Sequence, residues 1–255
     1  MIKGLRASSP RIAIVGGGIA GAALARAFTA AGFQPEVFAE SEAAASQGPA
    51  ALVAPRLDAG LGPAAALFAM ALARAGALYA DLAGAVAARG AVQLAIGAKD
   101  PRRFETIASS DLFEPAALRI LTAAETSGLV GEDAPPGLMI SPALVIEPVA
   151  VLNAWLGEPR RAGVAAVNPG SGAWVLRDRA AGLLAEADIV CIAAGMASAT
   201  LVDGLPLRAV RGQASFAPGA AAPISILFGG YVAPAAGGVL FGATHDRDDI
   251  GLDAR

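Results

Sequence analysis

The chain has a single cysteine, Cys191, and a single histidine, His245, among its 255 residues. One cysteine excludes an intrachain disulfide and any metal site built from several thiolates. Cys191 lies in the apolar run ADIVCIAAG. A thiol there serves as a small core residue, and a reducing, cytoplasmic setting is expected. The histidine stands beside Asp246, Asp248 and Asp249 and is read as part of a solvated turn, not as a catalytic base. Those aspartates do not complete a calcium loop, because Ile250 occupies a ligand position and no terminal glutamate follows. No metal site is expected. Charge is scarce as well: 16% of residues are charged and the net charge is −3, which leaves no electrostatic case for nucleic-acid binding.

Uninterrupted hydrophobic runs of membrane length are also missing. The longest uncharged stretch, Ala214 to His245, is broken by Pro218, Pro223 and Pro234 and by glycines that include Gly229, Gly230, Gly237, Gly238 and Gly242. Such a segment reads as short strands joined by turns, and no membrane partner is expected. The length suffices for one large domain or two small ones with a substantial core.

What the sequence does contain is concentrated near its start. RIAIV, Arg11 to Val15, is a short β-branched run suited to a buried parallel strand. It runs into GGGIAG, which holds a G-x-G-x-x-G pattern at Gly16, Gly18 and Gly21. A stretch rich in helix formers follows from Ile19, with Gly32 where a C-terminal cap belongs. EVFAE then forms a second strand ending at Glu40. In a dinucleotide site, Gly16 allows the tight turn, Gly18 leaves room for a pyrophosphate, and Gly21 lets helix and sheet pack closely. The helix N-terminus offers free N–H groups to the phosphates. Glu40 lies 19 residues after Gly21, where a carboxylate reaches a ribose hydroxyl. The motif alone does not separate NAD from FAD. A secretory signal is the competing reading, given the basic start and AALA ending at Ala25, but glycines at these spacings would weaken its apolar helix.

Further along, Pro63 opens a predicted helix that ends before Gly90, with Phe68, Leu72, Ala75, Tyr79, Leu82 and Val86 on one core-facing stripe. VQLAI, Val92 to Ile96, reads as a strand and Asp111 to Thr126 as a helix. EDAPPG is a loop and a candidate boundary, and Pro148 opens a helix through Trp155. Val164 to Asp178 forms a hairpin around a glycine-rich turn. ADIVCIAAG is an apolar strand ending at Gly195, where small residues let backbone approach a ligand. The last third is β-rich.

Together, the fingerprint, ASQGPAALVAPRLDAG, ADIVCIAAG, LRAVRGQASF and GGYVAPAAGGVLFGATHDRDD resemble the D-amino-acid-oxidase-like flavoenzymes. More narrowly, they resemble the flavin-dependent C-terminal domain of the MnmC family of bifunctional tRNA 5-methylaminomethyl-2-thiouridine biosynthesis proteins. The resemblance implies an α/β architecture, with a Rossmann-like FAD-binding domain (residues 1–90 and 150–205) and a β-rich substrate domain (residues 91–149 and 206–255). It implies FAD, held by Gly16, Gly18, Gly21, Glu40, Ala45, Ser46, Val164, Ala194 and Gly195. It places Arg211, Gln213 and Tyr231 on the substrate side and identifies no catalytic residue. The implied activity is FAD-dependent oxidation of a C–N bond, removing the carboxymethyl group from carboxymethylaminomethyluridine at the tRNA wobble position. A small amine or amino acid is the alternative substrate, and a non-catalytic FAD-binding remnant the alternative role. The sequence departs from the family where Gln47, Gly48 and Ala51 occupy the usual Gly, Asn and Gly of the flavin loop, and where His245 matches a family tyrosine. Such flavoenzymes normally continue well beyond this length, so the resemblance implies a C-terminally truncated chain with an incomplete substrate domain.

Overall fold

A computed structural model describes residues 9–40, 44–251 and 253–254. The basic start on which the secretory reading leaned lies outside the described residues. In chain order the first elements are β1 (Ile12–Val15), α1 (Ile19–Ala30), β2 (Pro35–Phe38), β3 (Ala51–Val53), α2 (Pro63–Ala80), β4 (Val86–Leu94), α3 (Asp100–Ala108), β5 (Leu118–Leu121), α4 (Ala123–Val130), β6 (Gly137–Ile146) and α5 (Pro148–Leu156). They are followed by β7 (Ala166–Pro169), β8 (Trp174–Arg177), β9 (Leu183–Ala187), β10 (Ile189–Ile192), α6 (Ser198–Leu201), β11 (Val210–Arg211), β12 (Ala214–Pro218), β13 (Ser225–Leu227), β14 (Tyr231–Ala235), β15 (Gly238–Gly242) and β16 (Asp246–Arg247).

The chain divides into two compact units. Unit 1 comprises Met1–Gly48 and Pro148–Ala209, and unit 2 comprises Pro49–Glu147 and Val210–Arg255. Unit 1 is built on a parallel sheet in the order β10-β1-β2, with Ile12 opposite both Ile189 and Pro35. All four residues of β1 are buried, because each face of the central strand has its own cover. Ile12 and Ile14 point to one side and pack with Val37 and Ala25 of α1. Ala13 and Val15 point to the other and pack with Phe38 and with Leu176 and Ala187 of the antiparallel meander β7-β8-β9. Fully burying a side chain such as Ile14, Phe38 or Leu176 contributes about 1.5–3 kcal/mol each. Cys191 joins the α1 side of this core, and its burial pushes the thiol pKa up.

Unit 2 carries an eight-stranded sheet in the order β12-β15-β14-β13-β4-β6-β3, with β5 also paired to β6. Its neighbours are antiparallel except β13 and β4, which run parallel with Ile226 opposite Val92. The uncharged stretch from Ala214 is resolved into β12 to β15, as its prolines and glycines predict.

Several expectations are corrected. α2 ends at Ala80, and Val86 begins β4. Its buried positions are Ala65, Ala69, Leu72 and Tyr79, while Phe68 is 37% exposed. Of the predicted stripe Leu72 and Tyr79 are buried, together with the small Ala65 and Ala69, which lie off it. α2 packs on β6 inside unit 2, so the seam falls after Gly48 and not at residue 90. Asp111 to Thr126 is not one helix: Leu118–Leu121 is drawn into β5 by pairing with β6. The EDAPPG loop lies inside unit 2 and is not a boundary. α2 is also, by length and composition, long and apolar enough to cross a membrane, with a mean hydropathy of 1.4. Alanine raises that mean, Arg74 lies within the span, and 22% of the span is buried inside the structure.

Candidate functional site

The nine residues expected at the cofactor all belong to unit 1. β1 delivers the chain to Gly16, whose φ of +118° is a conformation side chains rarely adopt. A Cβ on Gly16 would also lie 2.2 Å from the Ala193 carbonyl oxygen and 2.9 Å from the Ala194 nitrogen. The parallel pairing of β1 with β10 thus brings the 16–21 turn against the Ala193–Gly195 segment. Gly21 is buried in the first turn of α1, where a Cβ would lie 1.9 Å from the Gly16 carbonyl oxygen. Gly16 and Gly21 are therefore required by the chain's own packing.

Gly18 is different. It is the N-cap of α1 at φ −79° and ψ −175°, an extended conformation open to any residue, and no side chain caps the helix there. The first-turn N–H of Ile19 donates to Ser46 Oγ at 3.1 Å, which ties the Ala44–Ser46 turn to the helix N-terminus. Ala45 lies in the same turn. The N-terminus of a twelve-residue helix, opened by glycine and faced by a main-chain segment ending in small residues, is chemically suited to a pyrophosphate. The residues present fit a dinucleotide such as FAD.

Glu40 follows β2. Its carboxylate meets Arg179 Nη2 at 3.0 Å, and its Cδ lies 2.7 Å from the position a Cβ on Gly163 would take. Val164, the next residue, packs against the cluster of Val15, Phe38 and Leu176, as does Ala194. Gly195 has φ +58°. The fold thus brings Gly16 against Ala193 and Ala194, Ile19 against Ser46, and Glu40 against Gly163 and Arg179. Sequence reading missed Arg179 and Gly163. Neither belongs to a motif, and Arg179 lies 139 residues from its partner. A cleft of about 570 Å³ beside Thr29, Glu36, Trp155 and Arg160 contains none of the expected cofactor residues.

Arg211, Gln213 and Tyr231 belong to unit 2. The Arg211 side chain is only 8% exposed and pairs with Asp246 at 3.2 Å. It donates to Gln213 Oε1 at 2.7 Å and to the Asp253 carbonyl. The pairing of β11 with β16 sets Arg211 opposite Asp246. Asp246 is therefore a partner of the arginine and not merely one acid of a solvated turn. His245 is exposed, as expected. Tyr231 stands opposite Gly242, which also faces Ala214 next to Gln213. Tyr231 packs beside Val145 and Leu240, and burial pushes its phenol pKa up. Among the described residues no cluster of three or more His, Cys, Asp or Glu could hold a metal.

A family model described as DAO, FAD dependent oxidoreductase, matches residues 11–254. The chain is 50% identical to the tRNA 5-methylaminomethyl-2-thiouridine biosynthesis bifunctional protein MnmC of Caulobacter sp. strain K31, over 99% of this chain and 43% of that protein. For the protein of the same name from Caulobacter vibrioides the figures are 49%, 96% and 41%. The chain therefore spans less than half the length of these relatives. Glycine oxidase from Geobacillus kaustophilus aligns over 95% of this chain and 74% of its own, with a TM-score of 0.77 at 21% identity. L-proline dehydrogenase from P. horikoshii covers 97% and 73%, with a TM-score of 0.77 at 14% identity. These structures share the fold, a Rossmann-like parallel sheet accompanied by a larger mixed sheet. With the family match running through both units, the chain belongs to the DAO family of FAD-dependent oxidoreductases.

Proposed function

We propose that unit 1 binds FAD at the β1–α1 turn and that the protein oxidises a C–N bond, removing the carboxymethyl group from carboxymethylaminomethyluridine at the tRNA wobble position. The observation that carries the cofactor reading is the backbone of Gly18. Its angles alone demand no glycine, and bare main chain at a helix N-terminus suits a phosphate that comes close to it. The substrate reading rests on the two relatives named for biosynthesis of this class of tRNA nucleoside, at 50% and 49% identity. A tRNA substrate places the protein in the cytoplasm.

In this reading the turn at Gly16, Gly18 and Gly21 would hold the pyrophosphate on main-chain N–H groups, and Glu40 would accept from the ribose. Val164 would serve the adenine. Ala45, Ser46, Ala194 and Gly195 would serve the flavin with small side chains that leave room for it. FAD bound there would supply a two-electron acceptor for a hydride from the carbon next to an amine, so that addition of water across the resulting C=N bond would free a two-carbon oxo acid and leave aminomethyluridine. The chain's own task is to present that amine neutral and aligned. Burial lowers an amine's pKa and favours its neutral form. Arg211 receives the substrate carboxylate, a partner its planar fork can bind bidentately. Asp246 holds the guanidinium at 3.2 Å and is the group the substrate must share or displace. Tyr231 is a neutral donor at physiological pH, as any phenol is, and burial raises its pKa further.

A small amine or amino acid is the second reading. The net charge of −3 favours it, since an RNA substrate calls for basic surface. The test is an absorbance spectrum of the purified chain, chromatography of the cofactor released on denaturation, and an assay of oxo acid. Released FAD, with oxo acid from tRNA bearing the modified nucleoside, supports the first reading. Oxo acid from glycine, sarcosine or D-amino acids alone supports the second. Bound NAD in place of flavin overturns both, and a yellow protein that no amine bleaches is a non-catalytic FAD binder.

A further inference from the structure

Glu40 and Arg179 meet side chain to side chain. Arg179 Nη2 lies 3.0 Å from Oε1 and 3.1 Å from Oε2 of Glu40, so one nitrogen bridges both carboxylate oxygens. The side chains remain 79% and 55% exposed, and such a surface pair contributes little to folding. Its surroundings are nonetheless more ordered than a surface contact needs. Arg179 sits in the turn between β8 and β9, which Asp178 closes: Asp178 Oδ1 accepts from the Ala180 N–H at 2.9 Å and the Gly182 N–H at 2.8 Å. The Asp178 N–H donates to the Gly182 carbonyl at 3.0 Å, and Arg177 Nη1 donates to the Ala181 carbonyl at 2.9 Å. On the other side, Gly163 brings bare main chain so near that a Cβ would lie 2.7 Å from Glu40 Cδ and 3.0 Å from each carboxylate oxygen. The carboxylate thus lies against the bare main chain of Gly163, where an added Cβ would oblige the Glu40 side chain to move, and beside a cation borne on a tied turn.

We propose that Arg179 is a positioning residue for the cofactor's adenosine ribose: it fixes the Glu40 carboxylate in the orientation that accepts the ribose hydroxyls. The inference rests on the reading of Glu40 as the ribose acceptor. A carboxylate has about four lone-pair sites, so a contact from Arg179 to each oxygen leaves acceptor capacity for a hydroxyl. Without the cation, Glu40 regains rotamers that must be lost again on binding, since freezing a glutamate side chain carries an entropic cost. Arg179 therefore acts through Glu40 and not by touching the ligand.

The test is equilibrium titration of the apoprotein with FAD, followed by flavin fluorescence, for the native chain and for Glu40→Gln, Arg179→Ala, Arg179→Lys and the Glu40→Gln/Arg179→Ala double variant. Thermal midpoints of the apoproteins provide the structural control. Arg179→Ala is expected to raise the FAD dissociation constant roughly threefold to tenfold without moving the midpoint, and Arg179→Lys to recover part of the loss. The double variant is expected to bind no more weakly than Glu40→Gln alone. Native affinity in Arg179→Ala with weakened binding in Glu40→Gln overturns the proposal and leaves the ribose reading intact. Native affinity in Glu40→Gln overturns the ribose reading and the proposal with it. Additive losses in the double variant overturn action through Glu40, and a lowered midpoint in Arg179→Ala assigns the arginine to stability instead.

Discussion

The Cα of Gly16 faces the main-chain carbonyl of Ala193 so closely that a Cβ would lie 2.2 Å from its oxygen. The glycine turn is therefore locked to the end of β10 whether or not a ligand is present. Gly16→Ala adds this collision to a φ of +118°. It should lower the stability of the apoprotein by about 2–4 kcal/mol, measured by urea unfolding. An unchanged midpoint would contradict the packing described for β1 and β10.

Gly18→Val should behave in the opposite way. The backbone at φ −79° and ψ −175° is open to a valine, and exchanging glycine for valine at an N-cap is expected to change apoprotein stability by about 1 kcal/mol. Flavin should be lost from the purified protein, because the added methyl groups stand where the pyrophosphate approaches. Stoichiometric flavin in this variant would remove the role assigned to the glycine.

Ser46→Ala leaves the Ile19 N–H without the hydroxyl that accepts it at 3.1 Å. The site is partly buried, so a stability loss of about 1 kcal/mol is expected. Hydrogen exchange at Ile19 should also become faster. Protection equal to that of the native chain would show that the hydroxyl is not the acceptor in solution.

Acid stability should depend on the first turn of α4. The Glu125 carboxyl is lowered from 4.5 to about 2, first by the Thr122 N–H, then by Arg119 and the Thr122 hydroxyl. A carboxyl whose pKa falls on folding contributes stability above its unfolded value, and the contribution is lost as pH falls through the folded one. Native stability should therefore decline between about pH 4.5 and 2. Glu125→Gln should be less stable at neutral pH and show a flatter profile over that window, read from unfolding midpoints against pH.

Alkaline behaviour should have the reverse sign. Burial raises the pKa of the Tyr231 and Tyr79 phenols from the ordinary 10.0. The folded state holds these protons more tightly, so their contribution is full below pH 10 and lost as pH rises beyond it. Tyr231→Phe should reduce the fall in stability above about pH 10. A spectrophotometric titration should show fewer tyrosines ionising late in the variant. An unaltered titration curve would mean that Tyr231 is not the late-titrating phenol.

The sequence by itself determined the β1–α1–β2 segment. Its signals are local: four β-branched or small apolar residues, glycines at fixed spacing, a run of helix formers and a closing acid. The helix opening at Pro148, the hairpin after Val164 and the strand through Cys191 were legible for the same reason. Turn residues and apolar periods act over a few residues, and nothing distant had to be known to interpret them.

The tertiary structure decided the rest. Leu118–Leu121 lies in a stretch that reads as helix, yet β6 offers it a ladder and the backbone pairs there. α2 buries Ala65 and Ala69 along with Leu72 and Tyr79 and leaves Leu67 and Met70 exposed, a division that follows from which side meets β6. The seam after Gly48 follows from that packing. Arg211 finds Asp246 across 35 residues and Arg179 finds Glu40 across 139. Charge pairs carry no periodicity, so only the folded path of the chain within each unit could bring either pair together.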